Sequence, residues 1–448
     1  MELRDFLVTP IVLMLVYFAA YILRPYFTDS NTKRYFIPAL TLKFIGALAV
    51  GFIYQFYYGG GDTLAFHTHG SRIIWEAFMD DPLKGIKLFF ANGHMSGDIF
   101  NYASQIWYFR DTQTYLIIQV AFLLDLFTLS TYSATAVLFA VLSFSGIWAL
   151  YLTFYSEFKH LHFRLALGIL FVPSVFFWGS GILKDSLTLG CLGWMTYTFF
   201  QLVIKKRTNL IFLILFLFTA FLTYSLKKYI LLSFLPALLV WVSIRYFDSI
   251  RNTVFKIMLA PLVLIICTGL GYFTIDTVGK DDARYSLDNL AKTAQVTAYD
   301  IRYGWGARYG DGSGYTLGEL DGTFGSMLRL APSAINVSLF RPYLWEVRNP
   351  LMLLSALESL LCLLLTIYIV YKISLKSFLK GFMKPEVMFC MVFALVFAFA
   401  VGISTYNFGT LARYKIPLLP YYLTGLILIY QYGMSKRAKK SDLLELTE

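Results

Sequence analysis

The chain has 448 residues, of which 58% are hydrophobic and only 15% charged, and its mean hydropathy is +0.63. Soluble domains carry about a quarter charged residues, so this apolar surface excludes a single water-soluble core and points to lipid as the solvent. The net charge of +11 fits basic cytoplasmic loops, not a nucleic-acid surface.

The opening stretch MELRDFLVTPIVLMLVYFAAYILRPYF has no small-residue cleavage site and reads as a retained first span, not a signal peptide. Apolar runs of bridging length predict spans at 6–26, 36–57, 133–156, 164–180, 186–204, 210–226, 229–246, 257–275, 350–371, 386–405 and 416–432. The expected fold is therefore an all-α integral membrane domain of about eleven transmembrane helices. Two extramembrane loops, 58–114 and 276–349, interrupt it. Cys191, Cys267, Cys362 and Cys390 all sit inside apolar runs and read as small buried residues, not as a disulfide framework.

Lys and Arg cluster in the C-terminal SKRAKK, in KISLKSFLKGFMK, in RYFDSIRNTVFK, in VIKKR and near Lys159. These lie an even number of spans apart and predict one cytoplasmic face. The apolar run Tyr115 to Thr131 is short for a span and contains Asp125. Read as interfacial or re-entrant, it leaves the N-terminus and the 58–114 loop external; read as a twelfth span, it reverses that loop.

The first loop opens on FYYGGGDTLAFHTHGSRIIWEAF. Three glycines let the backbone leave a helix sharply and let a ligand approach. Asp62 after them can act as a general base, as a metal ligand, or as the cap of an amphipathic helix. His67 and His69 are two apart and do not share a helix face, which disfavours a two-histidine metal site.

Lys184 and Asp185 interrupt FVPSVFFWGSGILKDSLTLGCLGW at a glycine-marked turn. They read either as a local ion pair or as a lysine offering charge to a phosphate. Lys227 and Lys228 break the next apolar stretch, and one of them is expected to snorkel to headgroups. The second loop ends in LFRPYLWEVRNP, where Arg341 can grip a phosphate, Glu346 can pair with an arginine, and Trp345 can stack on a sugar or sit in an interfacial belt. Its Gly-rich stretch, 303–326, reads as an adaptable surface loop and matches no nucleotide-binding pattern. Arg413 and Lys415 precede the last span and suit lipid anchoring or a substrate headgroup.

The GGGDT loop, the FWGSGILKD turn, LFRPYLWEVRNP and NFGTLARYKIPLLPY resemble a group of bacterial, Bacteroidetes-like polytopic envelope proteins. Those are similar to the GT-C superfamily of membrane glycosyltransferases and to polysaccharide-assembly proteins. The resemblance implies inverting transfer of a sugar from a polyprenyl-phosphate donor to an envelope glycan, lipid or protein acceptor, on the external face of the inner membrane. Asp62, the match to that family's acidic loop residue, would activate the acceptor. Lys184, Lys227, Arg341, Arg413 and Lys415 would hold the lipid phosphate, with Asp185, Glu346, His67 and Trp345 in support. The family pattern also admits a divalent metal. It differs in placing its acid after the first span, whereas Asp62 follows the second and has no adjacent acid. The competing readings are an O-antigen-type polymerase or ligase acting on a lipid-linked oligosaccharide, a transporter of such lipids, and a non-catalytic envelope-assembly subunit.

Overall fold

The computed structural model describes residues 2–249, 287–300, 313–319, 321 and 323–445. The described chain is helical throughout, and its one bridge pairing is Gly314 with Asn407. It divides into two compact units, Met1–Lys227 and Lys228–Glu448.

The first unit begins with α1 (Leu3–Phe27) and α2 (Lys33–Phe52), the latter continuing as a π-turn to Tyr57. Short helices follow: α3 (Asp62–Phe66), a π-turn His67–Ser71, α4 (Arg72–Asp80), α5 (Pro82–Phe90) and α6 (Phe100–Ala103). Then come α7 (Thr112–Thr128), α8 (Tyr132–Glu157), α9 (His162–Ile169), α10 (Pro173–Trp178), α11 (Lys184–Phe199, continuing as a π-turn to Ile204) and α12 (Leu210–Leu226). The second unit holds α13 (Lys228–Ser249), α14 (Leu287–Tyr299), α15 (Phe324–Arg329), α16 (Ala331–Phe340), α17 (Pro350–Ile373), α18 (Leu375–Phe382), α19 (Pro385–Thr405), α20 (Phe408–Tyr414) and α21 (Leu418–Glu445).

Seven helices among the described residues are long and apolar enough to cross a bilayer: α1, α2, α8, α11, α13, α17 and α19. Each matches an expected span. The other four expected spans have different outcomes. Residues 164–180 form α9 and α10 with a break at 170–172, because Pro173 has no N–H to continue a ladder and instead starts α10. Residues 210–226 form α12, apolar but only 17 residues long. Residues 416–432 fall largely within α21. Residues 257–275, with Cys267, lie outside the described residues, as does half of the 303–326 stretch. The other three cysteines are buried free thiols.

The core of the first unit is α8, packed against α2 and α11. A β-carbon added at Gly146 would lie 1.9 Å from the Gly190 carbonyl oxygen, and one at Gly193 would lie 2.0 Å from that of Gly146. The two backbones therefore touch, as small-residue helix pairs do in lipid. By contrast α1 leaves Leu7, Ile11, Met14, Leu15 and Phe18 exposed, an apolar wall that suits acyl chains. In the second unit α19 is central. Trp241 stacks on Phe389 at 4.4 Å, and Phe234, Phe393 and Tyr421 close the cluster by edge contacts.

Candidate functional site

The glycine corner turns as its sequence predicts. Gly59, Gly60 and Gly61 have φ of +67°, +148° and +120°, values that side chains with a β-carbon rarely adopt. Asp62 is the first residue of α3, and the cap position belongs to Gly61. The capping role allowed for Asp62 is thus taken by a residue without a side chain. Asp62 is half-buried where the α2 spanning segment ends.

The return of the same loop brings Tyr108 under the influence of Asp62 and of a second carboxylate. Trp107 stacks on His69 at 4.1 Å and 4°, the Trp107 backbone N–H donates to the His69 carbonyl, and Tyr108 packs on Phe66 at 5.8 Å. These contacts seat Tyr108 beside α3. Burial, and then the negative charges of Asp62 and Asp111, push the Tyr108 phenol up from its ordinary value. Both acids therefore bear on one tyrosine.

Asp111 caps α7 by accepting from the backbone N–H groups of Gln113 and Thr114, at 3.1 and 3.3 Å, and from the Thr114 hydroxyl at 2.6 Å. Lys184 Nζ donates to that hydroxyl at 2.7 Å. Burial raises the Asp111 carboxyl, but the Thr114 bonds and the Lys184 charge outweigh it and hold the group below its usual value. Asp111, Thr114 and Lys184 thus form one hydrogen-bonded chain at the start of α11, and Asp62 and Asp111 both act electrostatically on Tyr108.

Asp185 and Lys227 form a buried ion pair behind Lys184, with side-chain exposures of 1% and 8%. The local Lys184–Asp185 pair allowed for this turn is not what the structure shows: Asp185 pairs with Lys227 at the end of α12, and Lys184 donates to Thr114. Lys227 is committed to this pair in the structure, and gripping a phosphate would require it to leave Asp185.

His67 and His69 diverge as their spacing predicts. His69 lines a cavity of about 230 Å³ with Glu2, Asp5, Gln55, Arg72 and Tyr132. Asp62 does not line this cavity, although Leu64 does. His67 is fully buried, with Nε2 3.4 Å from Asp125 Oδ1, and neither ring nitrogen has a hydrogen-bond partner. Thr135 donates to the same Asp125 oxygen at 2.6 Å. Among the described residues no three His, Cys, Asp or Glu side chains gather as metal ligands.

The remaining expected residues lie in the second unit. Arg341 holds Glu346 through two nitrogens, with Nε 3.1 and 3.0 Å from the carboxylate oxygens. Burial raises the Glu346 carboxyl, but the Arg341 bond and the Tyr343 N–H at 2.8 Å bring it below its usual value. The Arg341 guanidinium lies 5.4 Å from the Phe408 ring centroid. Lys415 Nζ donates to Ser359 Oγ at 2.8 Å, and Ser359 donates to the Arg341 carbonyl at 3.0 Å. Arg341 and Lys415 are thereby joined through one serine. Arg413 is buried, 5.8 Å from the Tyr414 ring. Trp345 is 82% exposed and stacks on Tyr343, an arrangement open to either a sugar or an interface.

Three charged residues with clear structural roles escaped sequence reasoning. Asp111 carried the ordinary signal of a helix cap before an apolar run. Arg72, which pairs with Glu2, gave none. Lys43, inside α2, donates to Ser143 Oγ, to the Val175 carbonyl and to the Gly179 carbonyl at 3.0, 3.2 and 2.7 Å. It ties α2 and α8 to the segment that leads into Lys184. No protein-family model matches the chain, and neither the curated proteins nor the solved structures gave a match.

Proposed function

We propose that this chain is a membrane glycosyltransferase that moves a sugar from a polyprenyl-phosphate donor to an envelope acceptor. The observation that supports the reading most is the cluster around Tyr108. Asp111, Thr114 and Lys184 are hydrogen-bonded at the starts of α7 and α11, and Asp62, on its glycine corner, acts with Asp111 on the Tyr108 phenol. Charged groups at such positions are costly unless they serve a substrate or face water. A lipid-linked sugar needs this pairing, with a polar head at the helix ends and an acyl-like tail along the apolar walls.

In this mechanism Asp62 takes the proton of the acceptor hydroxyl as its oxygen attacks the anomeric carbon. The bond from that carbon to the phosphate oxygen breaks, and its electron pair leaves with the lipid phosphate. Lys184 faces the growing phosphate charge, held by Thr114 and Asp111, so the cation is preorganised. The donor set does not fit a dedicated metal site, and no step runs through a metal. In the second unit Arg341 and Lys415 offer phosphate chemistry of the same kind, with Glu346 as the present partner of Arg341. Asp185 and His67 keep supporting roles within the first unit.

The proposal includes eleven crossings of a bacterial inner membrane, a GT-C-like arrangement, an external N-terminus and an external Asp62 loop. Three of the crossings beyond the seven long helices are α9–α10, α12 and the start of α21, and the fourth is the apolar sequence run 257–275, which lies outside the described residues. The test is a proteoliposome assay with a panel of polyprenyl-phosphate sugars, following release of free polyprenyl phosphate. Turnover of at least one donor that requires Asp62 is the expected result. Survival of glycan polymerisation in Asp62→Asn, with loss in Arg341→Gln, would favour the polymerase reading instead.

A further inference from the structure

The segment Lys372–Lys384 does nothing in the mechanism above, yet it is among the most strongly patterned surfaces of the chain. Helix α18 joins the end of α17 to the start of α19, both long enough to cross a bilayer. It therefore lies at a membrane surface. Leu375, Leu379 and Met383 recur every fourth residue and are 60%, 58% and 64% exposed. Lys376 and Lys380 on α18, with Lys372 at the end of α17 and Lys384 at the cap of α19, recur at the same interval in the sequence and are exposed as well, the Lys384 ammonium lying 5.5 Å from the Tyr432 ring centroid. The stretch KISLKSFLKGFMK contains no acidic residue. None of these lysines has an ion pair among the described residues, and Glu386, the nearest acid in sequence, pairs with Arg245. The back of the helix is fixed, because a β-carbon at Gly381 would lie 3.3 Å from the Ile429 side chain.

A seated back, an apolar stripe and an uncompensated row of ammonium groups are the attributes of a helix lying in a headgroup layer. We propose that α18 is a docking surface for anionic phospholipid. Leu375, Leu379 and Met383 enter the acyl boundary, and the four lysines meet lipid phosphates. Charge complementarity selects this occupant, since a zwitterionic surface offers the lysines no net attraction. The inference is independent of the transferase reading.

The experiment uses the purified full-length chain with phosphatidylglycerol and phosphatidylcholine of matched acyl chains, with bound lipid counted by native mass spectrometry. The expected result is preferential retention of phosphatidylglycerol that weakens at high salt. Each lysine near an anionic surface is worth roughly fivefold in binding. The Lys376→Gln/Lys380→Gln variant should thus lose about 25-fold of the preference, and replacement of all four should lose several hundredfold. Leu375→Ser/Leu379→Ser should weaken retention of both lipids while leaving their ratio unchanged. Equal retention of the two lipids by the native chain, or an undiminished preference in the folded double-lysine variant, would overturn the proposal.

Discussion

Lys227→Met breaks the ion pair behind the candidate site and leaves the Asp185 carboxylate, 1% exposed, without its cation. Removing one partner of a buried pair costs about 3–5 kcal/mol, because the remaining charge stays desolvated. For a unit of this size about 1 kcal/mol moves the melting temperature by about 2–4 °C, so the drop should be roughly 6–20 °C. Lys227→Met/Asp185→Leu removes both charges and should recover most of that loss. The assay is thermal unfolding of all four members of the cycle in one detergent, followed by near-ultraviolet circular dichroism. An unchanged melting temperature in Lys227→Met, or a double variant no better than the single, would refute the pairing argument. A phosphate-binding Lys227 predicts the opposite pattern: little change in stability and loss of lipid-phosphate affinity.

Asp111 gives a pH prediction. Its folded pKa is lowered, so its stabilising contribution is fully present above the unfolded value of about 3.9 and is lost as pH falls through the lower folded value. Hydrogen exchange at the start of α7 should show this loss in the native chain. Asp111→Ala should lack it, at a cost of about 1 kcal/mol from the missing cap. Gly193→Val places side-chain atoms where the Gly146 carbonyl already sits 2.0 Å from a β-carbon. It should sharply reduce the yield of folded protein by size-exclusion chromatography, whereas Leu142→Val, at a partly exposed position of α8, should not.

The seven long helices were legible because apolar run length alone reports them. The glycine corner was legible because three consecutive glycines before Asp62 leave the backbone few other uses. Run length failed at 164–180, where Pro173 breaks an apolar stretch whose composition still resembles a span. Side-chain partners over long separations were not legible. Nothing near Lys43 indicates Ser143, and nothing near Asp185 indicates Lys227, because the bonds form only once α2, α8, α11 and α12 are packed. Asp111 was hidden for a related reason. Its shared effect with Asp62 on Tyr108 depends on Trp107 and Tyr108 folding back onto His69 and Phe66, a tertiary contact within a loop that periodicity does not describe.

The transferase account rests most directly on the turnover of Asp62→Asn. The measurement is release of polyprenyl phosphate in proteoliposomes, compared with native chain reconstituted to the same amount and melting at the same temperature. Losing the general base should lower turnover by about 10²–10⁴-fold while donor binding persists. A folded Asp62→Asn protein that transfers sugar at the native rate would contradict the account.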